Sequence, residues 1–293
     1  MTPRQLILLT AEKFREAGVP DPVYDSSLLL SSLCGKPALS LRLDDQTELS
    51  PALLRTYEEL SLRRQHREPL QYMLAESIFC GLSFYVDPNV LIPRPETELL
   101  CEWALELISG LAAPRVLDVC AGSGCIGLTV KAKYPRAEVI LSDISPEALK
   151  VAAVNASRLK LEVRFLHSDL LEQLTETDFD LIISNPPYIP SADCPLLQAE
   201  VLQEPRLALD GGADGLDFYR RLSAEAPEYL KPEGKLLVEI GEGQADQVVS
   251  LMTDAGFHAC AVREDYAGIR RMVCGTRPDQ KGAEAHCSTD YQN

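Results

Sequence analysis

Apolar residues recur at helical spacing through the first 66 positions. Ile7, Ala11 and Phe14 share one face of a segment that Thr2-Pro3 can open and Gly18 ends. Asp21-Pro22 opens a second helix, carrying Leu28, Leu29, Leu30 and Leu33. Ser50-Pro51 sets an N-cap before a proline at the first helical position, and Leu53, Tyr57 and Leu60 form the stripe that follows. The pattern predicts a small helical domain over residues 1–69, without a polar cluster that suggests chemistry. From 70 to 92 the texture changes. Residues 77–86 are aromatic and β-branched around Gly81, and Asp87-Pro88-Asn89 turns the chain before Val90, Leu91 and Ile92. This predicts a β-hairpin linker. Pro93-Arg94-Pro95 stops the extended run, and Glu96-Thr97-Glu98 opens a helix through Leu99, Leu100, Trp103 and Leu107.

Beyond residue 115 strand and helix patterns alternate. Strands are expected at 115–119, 138–142, 162–166, 180–184, 235–240, 257–263 and 270–275, and helices at 124–133, 146–159, 216–230 and 244–255. Such alternation predicts an α/β fold, a mostly parallel sheet covered on both faces. Residues 264–269 are too few for a helical crossover, so the last two strands should pair antiparallel. The polar stretch 278–293 is expected to be a disordered tail.

Composition narrows the function classes. The 293 residues are 46% hydrophobic and 25% charged, an ordinary globular balance with material for about two domains. No apolar run approaches the ~18 residues of a membrane span, and the short run near Leu6 gives way at once to Glu12 and Lys13, so a cytoplasmic protein is expected. The net charge is −16. Residues 1–75 hold 9 basic and 10 acidic side chains, and residues 76–293 hold 19 and 34. That surface repels phosphates and argues against free nucleic acid as the main partner. Arg63, Arg64 and Arg67 are the one basic cluster, either a local patch or a solvated helix face. Nine cysteines at irregular spacing, without a C-x-x-C pair, and four scattered histidines predict reduced core thiols and no metal.

Two motifs carry chemistry. In the first, the apolar strand at 115–119 runs into Cys120-Ala-Gly122-Ser-Gly124-Cys-Ile-Gly127 and then a helix. Glycines there let a ligand approach the backbone, and Asp143, ending the next strand, can accept hydrogen bonds from two ribose hydroxyls. The spacing also fits a dinucleotide fingerprint, which keeps an NAD-dependent dehydrogenase in view. Asp118, just before the turn, tilts the choice, since it would repel a pyrophosphate and welcome an ammonium group. The second motif, Ser184-Asn185-Pro186-Pro187-Tyr188, follows the fourth strand of the alternating region and so belongs at the same carboxyl edge of the sheet. An amide or aryl-amine nitrogen is a poor nucleophile because its lone pair is delocalised. Two acceptors aimed at its N–H bonds, Asn185 Oδ1 and the Pro186 carbonyl, can hold it and localise that pair toward an electrophile. The prolines stiffen the turn, and Tyr188 offers a flat wall.

These motifs resemble those of class I S-adenosylmethionine-dependent methyltransferases. More narrowly, the chain resembles the protein-(glutamine-N5) methyltransferases that modify peptide chain release factors, the PrmC/HemK family. The resemblance spans about residues 1–277. It includes Leu91-Ile-Pro-Arg94-Pro-Glu96-Thr97-Glu98, Glu204-Pro205-x-x-Ala208-Leu209-x-Gly211-Gly212-x-Asp214-Gly215 and Asp265-Tyr266-x-Gly268-x-x-Arg271. It implies a Rossmann-like methyltransferase domain at 93–277 with a seven-stranded, mostly parallel sheet and an antiparallel last strand, behind a helical domain that grips the substrate protein. It implies further that Cys120, Ala121, Gly122, Ser123 and Gly124 line the methionine and ribose part of S-adenosylmethionine, that Asp143 takes the ribose hydroxyls, and that Asp169 and Leu170 flank the adenine. Asn185 would touch cofactor and substrate, and Asn185, Pro186, Pro187 and Tyr188 would hold the target glutamine, with Asn185, Pro186 and Tyr188 as the catalytic set. Cys120 stands where relatives often carry glycine, and Leu170 where they are often aromatic. The implied partner is a release factor and the implied state a monomer. The alternatives are a ribosomal-protein glutamine methyltransferase, a nucleic-acid amino-methyltransferase, and a non-enzymatic binding protein on the same sheet.

Overall fold

The structure is a computed structural model, and it describes residues 1–279. The expected tail therefore lies, apart from its first two residues, outside the described residues. The chain divides into two compact units, one of residues 1–76 with 197–204, the other of residues 77–196 with 205 onward.

The first unit is helical: α1 (Pro3–Glu16), α2 (Pro22–Cys34), α3 (Ala38–Leu43), α4 (Pro51–Gln65) and α5 (Leu70–Leu74). Thr2 closes a capping box with Gln5 at the head of α1, and the Ser50 hydroxyl accepts from Leu53 N at the head of α4. Asp21 starts α2 without a side-chain cap bond. The periodicity does not predict α3 and α5, because six and five residues are too few to repeat a face. Ile7, Phe14, Leu29, Leu30, Leu41 and Tyr57 form the core, and the Tyr57 hydroxyl donates to the Ser26 carbonyl at 3.0 Å. Arg64 is neither a solvated residue nor part of a free basic patch. Its side chain is 4% exposed, and it donates to Asp25 Oδ2 and Glu200 Oε1, each at 2.8 Å. Arg67 Nε reaches the same Glu200 at 2.6 Å, and Arg63 pairs with Glu68. The sequence distance between Arg64 and Glu200 hides this arrangement from any local pattern.

The second unit opens with a hairpin of β1 (Ser77–Phe79) and β2 (Leu82–Phe84), turned by Cys80 and Gly81 at positive φ. Residues 90–92 form no strand. There follow α6 (Pro95–Ile108), β3 (Arg115–Val119), α7 (Cys125–Lys133), β4 (Glu138–Asp143), α8 (Pro146–Leu159), β5 (Arg164–His167), β6 (Phe179–Ser184), α9 (Asp217–Tyr229), β7 (Leu230–Glu239), α10 (Ala245–Asp254), β8 (His258–Glu264) and β9 (Arg270–Thr276). The seven-stranded sheet runs β5-β4-β3-β6-β7-β9-β8, parallel from β5 to β7, with β9 inserted antiparallel between β7 and β8. Strand β7 begins five residues before the expected start, because Leu230 pairs with Phe179 ahead of an irregularity in register.

Alternate strand residues feed two cores. Val116, Leu141, Leu181, Ile183 and Leu237 pack under α6, α7 and α8. Leu117, Ile140, Ile182, Leu236 and Val238 pack under α9 and α10. This two-sided covering is what the continuous apolar strands require.

Candidate active site

The five parallel strands β3 to β7 deliver their carboxyl ends to one edge of the sheet. Cys120 follows β3, Asp143 ends β4, Asp169 and Leu170 lie just past β5, Asn185 follows β6, and Glu239 ends β7. The loops there enclose a cavity of about 1170 Å³, counting its open mouth. Its wall takes Cys120, Ala121, Gly122 and Ser123 from the first turn and Asp143 from the second. It takes Asp169 and Leu170 from the third, and Asn185 and Pro187 from the fourth. Gly124, Pro186 and Tyr188 are not on the wall. A Cβ on Gly124 would stand 3.1–3.2 Å from Leu128, Ala152 and Leu141, so that glycine serves packing.

Gly122 has φ +53, and nothing lies within 4 Å of where its Cβ would be, so the turn leaves open space for a ligand against the backbone. Asp143 is pinned beside it: Oδ2 accepts from Gly122 N and Oδ1 from Ser145 N, each at 2.8 Å. Burial pushes this carboxyl upward, and the hydrogen bonds from Ser145 and Gly122 oppose the rise. Each oxygen keeps acceptor capacity for one of two vicinal hydroxyls. Leu170 and Phe218 of α9 add apolar surface to the wall, and Asp169 is held by Arg221 at 2.8 Å. Cys120 and Leu170 both adopt positive φ, which favours glycine at the first and costs a side chain about 1–2 kcal/mol. Burial also pushes the Cys120 thiol up, so it is a protonated wall group and not a nucleophile.

Asp118 does not reach the cavity. It is fully buried beneath α7, where Oδ2 accepts from Gly127 N at 2.8 Å and Oδ1 has no hydrogen-bond partner among the described residues. A Cβ on Gly127 would fall 2.2 Å from Leu141 and 2.9 Å from this carboxyl, so the third glycine of the motif lets helix and strand meet. Burial, opposed by the Gly127 bond, pushes the Asp118 carboxyl up to about 8. The folded chain thus holds a proton that the unfolded chain releases near pH 4. The stability it contributes is complete below that value and is lost as pH rises through about 8. Between pH 5 and 9 the melting temperature of the wild type should therefore fall relative to that of Asp118→Asn. Parallel curves would mean that Asp118 is ionised throughout.

The corner after β6 is braced on several sides. The Ser184 hydroxyl donates to the Val119 carbonyl at 2.7 Å, and Asn185 Nδ2 donates to Thr97 Oγ1 of α6 at 3.2 Å. With Nδ2 engaged, Oδ1 is the free acceptor of the carboxamide. Gln244 Nε2 donates to the Tyr188 carbonyl at 2.9 Å while its Oε1 accepts from Gly241 N at 2.8 Å. Ile189 exchanges backbone hydrogen bonds with Leu209 and Gly211, at 3.0 and 2.8 Å. A Cβ on Gly211 would stand 2.7–2.9 Å from the backbone of Tyr188 and Pro187, which explains the glycine. The Tyr188 ring packs toward Gly241 instead of the cavity, and burial pushes its hydroxyl up to about 12. It is a brace for the corner and has no proton to exchange near neutrality.

Sequence reasoning missed Thr97, Phe218, Glu239 and Gln244. Glu239 had a usable signal: like Asp143, it is an acid closing an apolar strand at the ligand edge.

Two family models match the chain: the methyltransferase small domain over residues 97–212 and the PrmC N-terminal domain over residues 5–74. The release factor glutamine methyltransferase of Geobacter sulfurreducens is 44% identical, over 94% of this chain and 96% of its own. That of Clostridium acetobutylicum is 40% identical, over 86% and 90%. Among solved structures, a methyltransferase from Pyrococcus furiosus matches with TM-score 0.53 at 17% identity, over 75% of this chain and 100% of that one. The last likeness concerns the fold alone. Identity at this level over nearly the whole length, on a sheet whose ligand edge carries the glycine turn and the Asn-Pro-Pro-Tyr corner, leads to one conclusion: the chain belongs to the release factor glutamine methyltransferase family.

Proposed function

We propose that this chain methylates the side-chain amide nitrogen (N5) of the glutamine in the Gly-Gly-Gln loop of a peptide chain release factor, with S-adenosylmethionine as donor. The observation that carries the reading is that Asn185 and Pro187 stand in the wall of the same cavity as Gly122 and Asp143. Donor and acceptor can therefore meet there. The residues fit the donor. Gly122 leaves room at the backbone, and Asp143 offers two pinned acceptors to a ribose. Leu170 and Phe218 offer apolar surface to a base, with Asp169 within reach of its edge and Cys120, Ala121 and Ser123 along the remainder. When bound, S-adenosylmethionine supplies an electrophilic methyl group on a sulfonium.

The protein's part is positioning and fixed dipoles. Asn185 Oδ1, on the wall, and the Pro186 carbonyl, on the backbone between the wall residues Asn185 and Pro187, accept the two N–H bonds of the target amide and turn its lone pair toward the methyl group. Pro186 and Pro187 fix the backbone on which those acceptors sit. Tyr188, Gln244 and Gly211 keep the corner from yielding when the substrate enters. The nitrogen becomes cationic as the bond forms, so its proton can leave afterwards to solvent, and no strong base is needed.

The helical unit serves to recognise the release factor. The excess of acid beyond residue 75 disfavours a nucleic-acid substrate. No helix among the described residues is long and apolar enough to cross a membrane.

Mass spectrometry after incubation with labelled donor tests the reading. The expected result is one added methyl on one glutamine of a release factor, with ribosomal protein and DNA unlabelled. Label on DNA alone would refute it.

A further inference from the structure

We propose that Glu239, at the end of β7, is a positioning residue for the transfer: directly and through the Thr97 hydroxyl it fixes which way the Asn185 carboxamide faces. The inference rests on the function proposed above.

The placement follows from the sheet. Ser184 pairs with Val238 in the parallel register of β6 and β7, so Asn185 and Glu239 are the next residues along adjacent strands. Paired residues of parallel strands point to the same face, as Ile183 and Leu237 do toward α6. Thr97 lies in the first turn of α6, on that face. Glu239 is 3% exposed, its Oε2 has no hydrogen-bond partner among the described residues, and its carboxyl faces the Thr97 hydroxyl and the Asn185 amide. A buried carboxyl is costly and calls for a reason.

The hydrogen-bond directions supply one. Asn185 Nδ2 donates to Thr97 Oγ1, so the Thr97 proton must point elsewhere. An ionised Glu239 is an acceptor only and takes that proton. The chain then runs one way, from amide to hydroxyl to carboxylate. Flipping Asn185 would set its Oδ1 against a hydroxyl whose proton is committed, lone pair against lone pair. Oδ1 is thereby kept for the substrate's N–H. A protonated Glu239 can itself donate to Thr97, and the preference between the two amide orientations disappears.

Burial pushes the Glu239 carboxyl up to about 7, against the hydrogen bonds from Thr97 and Asn185. Glu96 of α6 opposes ionisation and Arg271 of β9 favours it. Tyr188 beyond β6, Tyr219 of α9 and Cys125 of α7 also face the group, and all three are held protonated by burial. The chain should therefore switch near neutrality, with the active orientation favoured on the alkaline side.

The test uses the full chain with release factor as substrate. In the wild type, kcat at saturating substrate should rise as pH increases from 6 to 8. Glu239→Gln keeps the volume, and should lose about tenfold or more in kcat at pH 8 together with the pH step. Thr97→Val should lose less, since Asn185 still reaches the carboxyl directly, and the double variant should be no worse than Glu239→Gln alone. Donor affinity, read by thermal shift, should stay within about twofold throughout. Retention of the wild-type pH step in Glu239→Gln, additive losses in the double variant, or a fall in donor affinity that matches the fall in kcat would each overturn the proposal. A carbon-13 titration of the Glu239 carboxyl needs no substrate. Thr97→Val removes a bond to the ionised form and should move that titration upward, and an unmoved titration also overturns the relay. A wild type that methylates no release factor would instead refute the proposed function, so the two failures are distinct.

Discussion

Asn185→Ala should lower kcat for release factor methylation by about 10³-fold while the affinity for S-adenosylmethionine changes only a few-fold. Asp143→Ala should do the opposite to the binding step. The corner offers the target amide two acceptors, and Asn185 Oδ1 is the one that a side-chain deletion removes. Loss of one preorganised polar contact to the reacting group costs about 10²–10³-fold. Here it also frees the nitrogen to rotate, which adds a positioning loss. The Asn185 side chain has its Nδ2 tied to Thr97 and is one residue of a long wall, so the donor loses little. Asp143 differs because both its oxygens are anchored by Gly122 N and Ser145 N. Its deletion removes two charge-assisted bonds to a ribose, each about 1.5–3 kcal/mol, and loosens the glycine turn as well. Isotope-label transfer at saturating donor, with donor affinity measured separately by calorimetry, separates the two effects. Equal loss of affinity in both variants would place Asn185 in the donor site alone and remove it from the transfer step.

How far the sequence could be read depends on how local each signal is. The cap residues Thr2 and Ser50, the glycine turn after β3 and the alternation of strand and helix are written within a few residues, and each appears where the pattern put it. Residues whose role depends on three-dimensional neighbours were invisible or misread. Asp118 looks like a ligand group from its place before the turn, yet side chains on that face of β3 point under α7, and it bonds Gly127 instead. Tyr188 looks like a wall because it follows two prolines, but its carbonyl is captured by Gln244, 56 positions away, and its ring packs against Gly241. Thr97 and Asn185 meet across 88 positions. Glu239 could have been suspected, since β4 likewise closes on an acid, Asp143, at the same edge, though only the register of β6 and β7 brings it beside Asn185.

The same reasoning gives the largest stability effect. Arg64→Ala should destabilise the helical unit by about 3–5 kcal/mol, a large part of the 5–15 kcal/mol available to a typical domain. Arg64 is 4% exposed, is the close charge partner of Asp25 and shares Glu200 with Arg67, although exposed pairs of the same kind contribute little. Burial raises the Asp25 carboxyl, and the hydrogen bond and charge of Arg64 limit that rise. Burial would likewise raise Glu200, but the hydrogen bonds of Arg67 and Arg64 outweigh it and hold the group below its ordinary range. Without Arg64 two half-desolvated carboxylates face one another, with Arg67 left on one of them. A depressed carboxyl contributes stability above its unfolded pKa and loses it as pH falls, which is the wild-type behaviour of Glu200. In the variant Arg67 still holds Glu200, but Asp25 loses its lowering partner and should rise further, so its contribution survives in acid and is lost as pH rises. The deficit of Arg64→Ala should accordingly be greatest near pH 8 and shrink toward pH 5. Arg64→Leu combined with Asp25→Leu removes one desolvated pair whole and should recover most of the loss. Urea denaturation of the three proteins at both pH values reads this directly. A loss below about 1 kcal/mol, or one independent of pH, would mean that water reaches the cluster and that segment 197–204 is held to the helices by something other than this arginine.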